Sequence, residues 1–193
     1  MPGKRRALSF ARASRYAERM ERQIYTGRVV DLRIERVTLP NGTVIDLELM
    51  HHKGAAAVVA ADDEGRVVLI RQYRHAAGGY LWELPAGGLH PPDEAPAACA
   101  ARELREEAGL RADRLRDLGW MFTSPGFCDE RIWLFLAEGL HETGHAHDPD
   151  EVITDITRVP LPAALGMVGD GTIVDGKTIV GLARAALALG VAP

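Results

Sequence analysis

"AARELREEAGL", Ala100–Leu110, is the stretch on which the reading of this chain turns. It carries Glu103, Glu106 and Glu107 on neighbouring helical turns. Like charges three or four residues apart in a helix cost about 0.2–0.5 kcal/mol per pair. Either that face lies in water and the cost is tolerated, or a cation belongs there. Advancing about 100° per residue from Ala97 puts Ala97, Ala101, Leu104 and Ala108 within about 40° of one direction. The three glutamates fall between about 180° and 280° on the same wheel. An alanine stripe is therefore expected to pack closely on a sheet, with the carboxylates gathered elsewhere. Arg102, four residues before Glu106, can pair with it along the helix. The helix is expected from about Glu94 to Ala108, with Gly109 as its stop.

On the N-terminal side of this helix, "LWELPAGGLHPPDE" is rich in Gly and Pro and reads as a loop. Further upstream, "RVVDLRIERVTL" and "TVIDLELM" alternate apolar and polar residues around "PNG", Pro40–Gly42, and read as a hairpin over residues 24–50. "AAAVVAA", the turn "DDEG" and "RVVLIRQYR" read as a second hairpin, its strands apolar enough to be buried on both faces. Downstream come two strands, "LRDLGWMFTSPG" and "RIWLFLAEGL", a polar loop, "HETGHAHDPDE", and a strand near "ITDITRVPL". A short helix around "PAALGMV" and a last helix, "GKTIVGLARAALAL", follow. That last helix has small and apolar residues nearly all round and is expected to be well buried. Strands on both sides of a central helix predict a mixed α/β domain with a sheet between helical layers. The antiparallel hairpins argue against a doubly wound parallel sheet.

Length and composition bound the rest. The chain has 193 residues, room for one ordinary domain. It is 47% hydrophobic and 26% charged, as soluble globular proteins are. A net charge of −4 gives no global attraction to nucleic acid or anionic membrane, and neither is expected as a partner. No apolar run approaches the roughly 18 residues that a membrane span needs. Cys99 and Cys128 form no C-x-x-C pair and no secretory segment precedes them, so they read as reduced thiols of a cytoplasmic protein. Residues 1–23 hold seven Lys or Arg and two Glu. Glu18 and Glu21 argue against an organelle presequence, leaving a basic arm or a short helix.

Written as a pattern, Gly88, five residues, Glu94, seven residues, Arg102-Glu103-Leu104, one residue, Glu106-Glu107, one residue and Gly109-Leu110 match the Nudix box. The chain strongly resembles the Nudix hydrolase family. The resemblance implies an α/β/α sandwich with a mixed sheet over residues 51–193, preceded by the hairpin region. It implies Mg²⁺, or Mn²⁺, held by Glu103 and Glu107 with the backbone carbonyl of Ala86, and Glu106 as a ligand of a further ion or an orienter of water. Magnesium suits such a set because it is a hard cation that bridges carboxylates to substrate phosphates. Glu94 supports the loop or a more distant ion, and Arg102 holds a glutamate in place. Because Gly87 follows Ala86, either Gly88 is the motif glycine or the loop carries one extra residue. The carbonyl that reaches the metal is then Ala86 or Gly87.

"RQYRH", Arg71–His75, "LWELPAG", Leu81–Gly87, and "SPGFCDE", Ser124–Glu130, are similar to the ADP-ribose and nucleotide-sugar pyrophosphatase branch. Pro125, 15 residues beyond Leu110, stands where that branch carries a marker proline. The resemblance implies hydrolysis of a nucleotide sugar, ADP-ribose first, with GDP-mannose or ADP-glucose as the sibling alternative. A sensing module that binds ADP-ribose without catalysis is the alternative of another class. The branch also implies a homodimer assembled through the hairpin region, with substrate sites between subunits. Arg71 and Arg74 could grip a diphosphate as planar forks. Glu130 and the backbone around Gly126 could hold a ribose, and Tyr25, Tyr80, Trp82 or Phe127 could stack on a base. Glu83, within "LWELPAG", joins the expected substrate contacts. The water-activating base is expected on "HDPDEVITDI" as Glu151, with Asp150 and Glu106 as alternatives. His141, His145 and His147 lack the partners of a zinc site and read as solvated.

Overall fold

The computed structural model describes residues 21–90, 93–144 and 151–191. Residues 1–20 of the expected N-terminal arm or helix, His145, His147 and Asp150 lie outside the described residues, while Glu21–Gln23, expected in that arm, belong to a strand instead. Among the described residues, ten strands and three α-helices follow in order. They are β1 Glu21–Thr26, β2 Asp31–Thr38, β3 Val44–His51, β4 Ala55–Ala60, β5 Arg66–Arg74, β6 Gly79–Glu83, β7 Ala86–Gly88, α1 Pro96–Ala108, β8 Leu110–Phe122, β9 Arg131–Glu142, β10 Ile153–Pro160, α2 Leu161–Gly169 and α3 Gly176–Leu189.

The strands form three sheets, ordered β1-β2-β3, β10-β5-β6 and β7-β4-β9-β8. The last two are the centre of the molecule. β4 runs parallel to β9, and every other strand pairing is antiparallel. Two apolar layers flank them. On one side Cys99, Ala100, Leu104 and Ala108 of α1 pack on Ala56, Val58, Val68 and Phe135. On the other, Leu161 and Ala164 of α2 with Leu182, Ala185 and Ala186 of α3 pack on Val59, Leu69, Leu84 and Leu136. This is the expected α/β/α arrangement with mixed strand directions.

Four local expectations are corrected. β4 and β5 are not a hairpin: they meet only at an Ala61–Val67 bridge and then part into different sheets. Their continuous apolar character fits either arrangement, and β4 takes the longer β9 as its partner, far away in sequence. The Gly/Pro-rich loop contributes two strand pieces, the end of β6 and β7, because Ala86–Gly88 can pair with Ala55–Ala57. The face of α1 is also turned from the one expected. Ala97 and Ala101 are exposed, whereas Glu103 and Glu107 are buried with Leu104 and Ala108. Finally, α3 buries one stripe and leaves Leu187 77% exposed. Small residues allow close approach but do not bury a helix on every side.

Cys99 and Cys128 are free and buried. Among the described residues no helix is long and apolar enough to cross a membrane.

Candidate active site

The site is built where α1 runs past the β6–β7 turn. Pro96 opens the helix in its first turn, and Gly109 closes it in the left-handed conformation, donating its N–H to Arg105 O and Leu104 O. Thirteen residues in that frame bring Glu103 and Glu107, one turn apart, against β7. Ala86 N–H donates to Glu107 Oε2 at 2.7 Å. Glu107 Oε1 is buried and has no hydrogen-bond partner among the described residues. Burial pushes this carboxyl up to about 8, against the pull of the Ala86 N–H. Glu103, 6% exposed, is raised by burial too, with Arg102 opposing. Its carboxylate occupies the space that a side chain on Gly87 would need, since a Cβ there would lie 2.0 Å from Glu103 Oε1.

Arg102 gathers the other acids. Nε and Nη2 bind the two oxygens of Glu94 at 2.9 and 3.0 Å, and Nη1 binds Glu103 at 2.5 Å and Glu106 at 3.0 Å. Its Nη2 also donates to Gly88 O at 3.0 Å. The guanidinium holds the Glu94 carboxyl down to about 2. Gly87 O faces the Cys99 thiol, with 3.4 Å to Sγ.

A cleft of about 640 Å³ opens over this turn, lined by Ala86, Gly87, Arg74, Glu130, Glu151 and Lys177 among others. A second hollow of about 450 Å³ adjoins it across Gly87 and Gly88, where Glu103, Glu106 and Glu151 appear together. Arg28, Val29 and His52 line both. One wall is cationic. Arg74 is held by Glu83 through Nε at 3.0 Å and Nη2 at 2.7 Å, and Lys177 Nζ reaches Glu83 at 2.5 Å and Asp175 at 3.0 Å. Burial pulls the Glu83 carboxyl up, but Arg74 and Lys177 together hold it below the ordinary carboxylate range. Asp175 caps α3, accepting from Thr178 N, and Thr178 Oγ1 in turn accepts from Leu84 N. The start of α3 is thereby tied to the strand that ends beside the site.

Of the residues named from sequence, Ala86, Arg74, Glu130, Glu151, Glu103 and Glu106 line the paired hollows, and Glu107 lies beneath them. Others fall elsewhere in the single chain. Arg71 alternates with Arg74's face of β5 and stacks over Tyr80, 5.2 Å from its centroid. Trp82 packs against the apolar layer of α2 and α3. Glu83 is 1% exposed and meets the cleft only through its two cations. Gly126 and the exposed Phe127 belong to a turn fastened to β3, where Met50 N donates to Phe127 O at 2.7 Å. His141 binds Asp113 at 2.9 Å, away from the site.

Lys177, His52 and Arg28 were not named from sequence. For Lys177 a signal exists. A lysine in the first turn of a helix opposes the helix dipole, so "DGK" is locally unfavourable unless acids such as Asp175 and Glu83 receive it. His52 and Arg28 carry no comparable mark.

Among the described residues, no three His, Cys, Asp or Glu side chains converge into a ready metal cluster. Yet an orphaned buried carboxylate oxygen, a second buried carboxylate and adjacent backbone carbonyls are an all-oxygen donor set. Such a set fits a hard divalent ion that also takes phosphate and water oxygens.

Motif, layers and buried acids define one class, and the family comparison agrees. The NUDIX domain model matches residues 50–177, and the chain belongs to the Nudix family of hydrolases. It is similar to the ADP-ribose pyrophosphatase of Mycobacterium tuberculosis, 42% identical over 161 residues that span 82% of this chain and 77% of that protein. It is 40% identical to the ADP-ribose pyrophosphatase of Bacillus subtilis over 158 residues, 81% of this chain and 84% of that one. A solved structure, described as the crystal structure of an ADP compounds hydrolase, superposes with a TM-score of 0.76. That match covers 92% of this chain and 97% of the other at 21% identity, and shows the shared fold.

Proposed function

We propose that this Nudix hydrolase cleaves the diphosphate bridge of ADP-ribose, giving AMP and ribose 5-phosphate. The observation that carries the reading is that Glu103 and Glu106 line one hollow and Arg74 and Lys177 the adjoining one, with the buried Glu107 hydrogen-bonded to Ala86 N–H at the turn. The 40–42% identity to two ADP-ribose pyrophosphatases supports the choice of sugar nucleotide. Arg74 and Lys177 bind the diphosphate oxygens, the former as a fork already oriented by Glu83. Glu103, Glu107 and the carbonyl of Ala86 would hold a divalent ion, with Glu106 available to a further one. Ala86 is preferred to Gly87 because Gly87 O faces the Cys99 thiol. When bound, Mg²⁺ or Mn²⁺ neutralises phosphate charge and lowers the pKa of water. Glu151, which borders both hollows, accepts the proton of the attacking water, and Glu106 is its alternative.

The test is a panel of ADP-ribose, ADP-glucose and GDP-mannose with Mg²⁺, Mn²⁺ or chelator, the products being identified. AMP and ribose 5-phosphate should dominate, and chelator should stop their release. Faster release of GMP from GDP-mannose would move the assignment to the sibling activity.

A further inference from the structure

His51 stands at the seam between the N-terminal sheet and the body. Its Nε2 lies 2.8 Å from Glu35 Oε1 on β2, and its Nδ1 lies 2.8 Å from Asp129 Oδ2 in the β8–β9 turn. Ionised carboxylates offer only acceptors, so both contacts are hydrogen bonds only when both ring nitrogens carry protons. A neutral imidazole donates to one and turns a lone pair on the other. The Glu35 side chain is 3% exposed, so its oxygens have little access to water in exchange.

The consequences reach the cleft within one residue. Asp129 Oδ1 accepts the backbone N–H of His52 at 2.8 Å. His52 Nδ1 lies 3.2 Å from Glu130 Oε1, and His52 and Glu130 both line the cleft. Thr123, at the other end of that turn, lines it as well and is tied to Glu130 by the backbone.

We infer that His51 is a positioning residue: as imidazolium it buckles β2 of the N-terminal sheet to the 123–130 turn and so sets His52 and Glu130 at the substrate cleft. Among the described residues the charged groups facing it are Glu35 and Asp31 from β2, with Asp31 held by Arg33, and Asp129 from the turn. His52 and Glu130 stand next along the two chains. The Asp129 carboxylate raises the His51 pKa, burial opposes, and Glu35 adds to the rise. The folded value lies above the unfolded one. The buckle's contribution is therefore complete below about pH 6.5 and fades as pH climbs through the folded pKa.

The kinetic part of the test rests on the proposed pyrophosphatase activity, and the spectroscopic part does not. Full-length protein is titrated by NMR at the His51 ring, alone and as Asp129→Asn. The ring should titrate above 6.5 in the wild type and fall back toward 6.5 in the variant. Hydrogen exchange in 31–38 and 124–130, corrected for intrinsic rates, should quicken across that pKa in the wild type. In His51→Gln it should be fast throughout with no step. KM for ADP-ribose should rise about threefold or more over the same interval, with kcat little changed, and His51→Gln should abolish the step. A ring titrating at or below 6.5, or a step in exchange that survives in His51→Gln, overturns the inference. If no nucleotide sugar is turned over at all, the proposed function fails, and ring titration and exchange still decide the role of His51.

Discussion

Glu107 combines complete burial with an oxygen that nothing among the described residues satisfies, an arrangement that costs free energy in the isolated fold. Replacing it with glutamine keeps the acceptor for Ala86 N–H and removes a carboxyl whose ionisation burial already opposes. Glu107→Gln should therefore melt at the same temperature as the wild type or higher, while turnover of ADP-ribose falls by about 10²-fold or more. Calorimetry beside a product assay checks both, and wild-type turnover would show that this carboxylate is not part of the site. Gly87→Ala asks a steric question of the same place. Its Cβ would lie 2.0 Å from Glu103 Oε1, so the glutamate must swing away. The fold should survive, since the side chain can move, and turnover should drop by about tenfold at least, roughly 1.4 kcal/mol of lost positioning. At this scale the acids were legible because they are close in sequence and repel one another. Lys177 carried only the weaker mark of a cation in a helix's first turn, because its distant partner Glu83 declares itself only once α3 has docked on the end of β6.

The elements show why the same sequence misled on neighbours. Period and punctuation announce α1, β8, β9 and α3, and Gly109 sits where the helix stops. Pairing is another matter. "AAAVVA" and the "VVLI" of "RVVLIRQYR" are continuous apolar runs, so nothing local says whether they pair together or each take a distant strand. Nor did alanine spacing locate the buried face of α1. Alanine tolerates water, and the helix turned instead toward the side where Cys99, Ala100 and Leu104 join the core and the two glutamates join the turn. What fixes the helix beside that turn is the Glu94–Arg102 clamp, with both side chains 16% exposed. Since the folded Glu94 pKa is held at about 2, below its unfolded value, this stabilisation is present above about pH 4.5 and lost as pH falls toward 2. Glu94→Gln should lower stability at pH 7 by about 1.5–3 kcal/mol, the range for hydrogen bonds to charged groups. It should also flatten the dependence between pH 4.5 and 2. Urea titrations at several pH values measure it, and parallel curves for wild type and variant would show that the clamp contributes nothing.

At the scale of the molecule, β1–β3 form a sheet of their own, joined to the body along a seam of Met50, His51 and the 123–130 turn. Ile45, Leu47 and Leu49 alternate along one face of β3 with the exposed Val44, Asp46 and Glu48, and belong to none of the three apolar clusters. β1 is exposed from end to end, with Tyr25 60% and Ile24 46% accessible. A three-stranded sheet whose half-buried apolar face joins no apolar cluster among the described residues is a poor stopping point for folding, and a second copy is the cover that the sequence resemblance implies. We expect a homodimer by light scattering at micromolar concentration. Ile45→Asp, opposite Val37 on that face, puts an unpaired charge where burial is needed. It should yield monomer with the central layers still folded, because residues 55–191 have their own two apolar layers. Catalysis should weaken in that monomer through KM, since Arg28 and Val29, which line the cleft, lie in the β1–β2 turn of the same sheet. A wild-type protein that runs as a monomer at every concentration would remove the dimer, and an Ile45→Asp dimer would move the contact to another face.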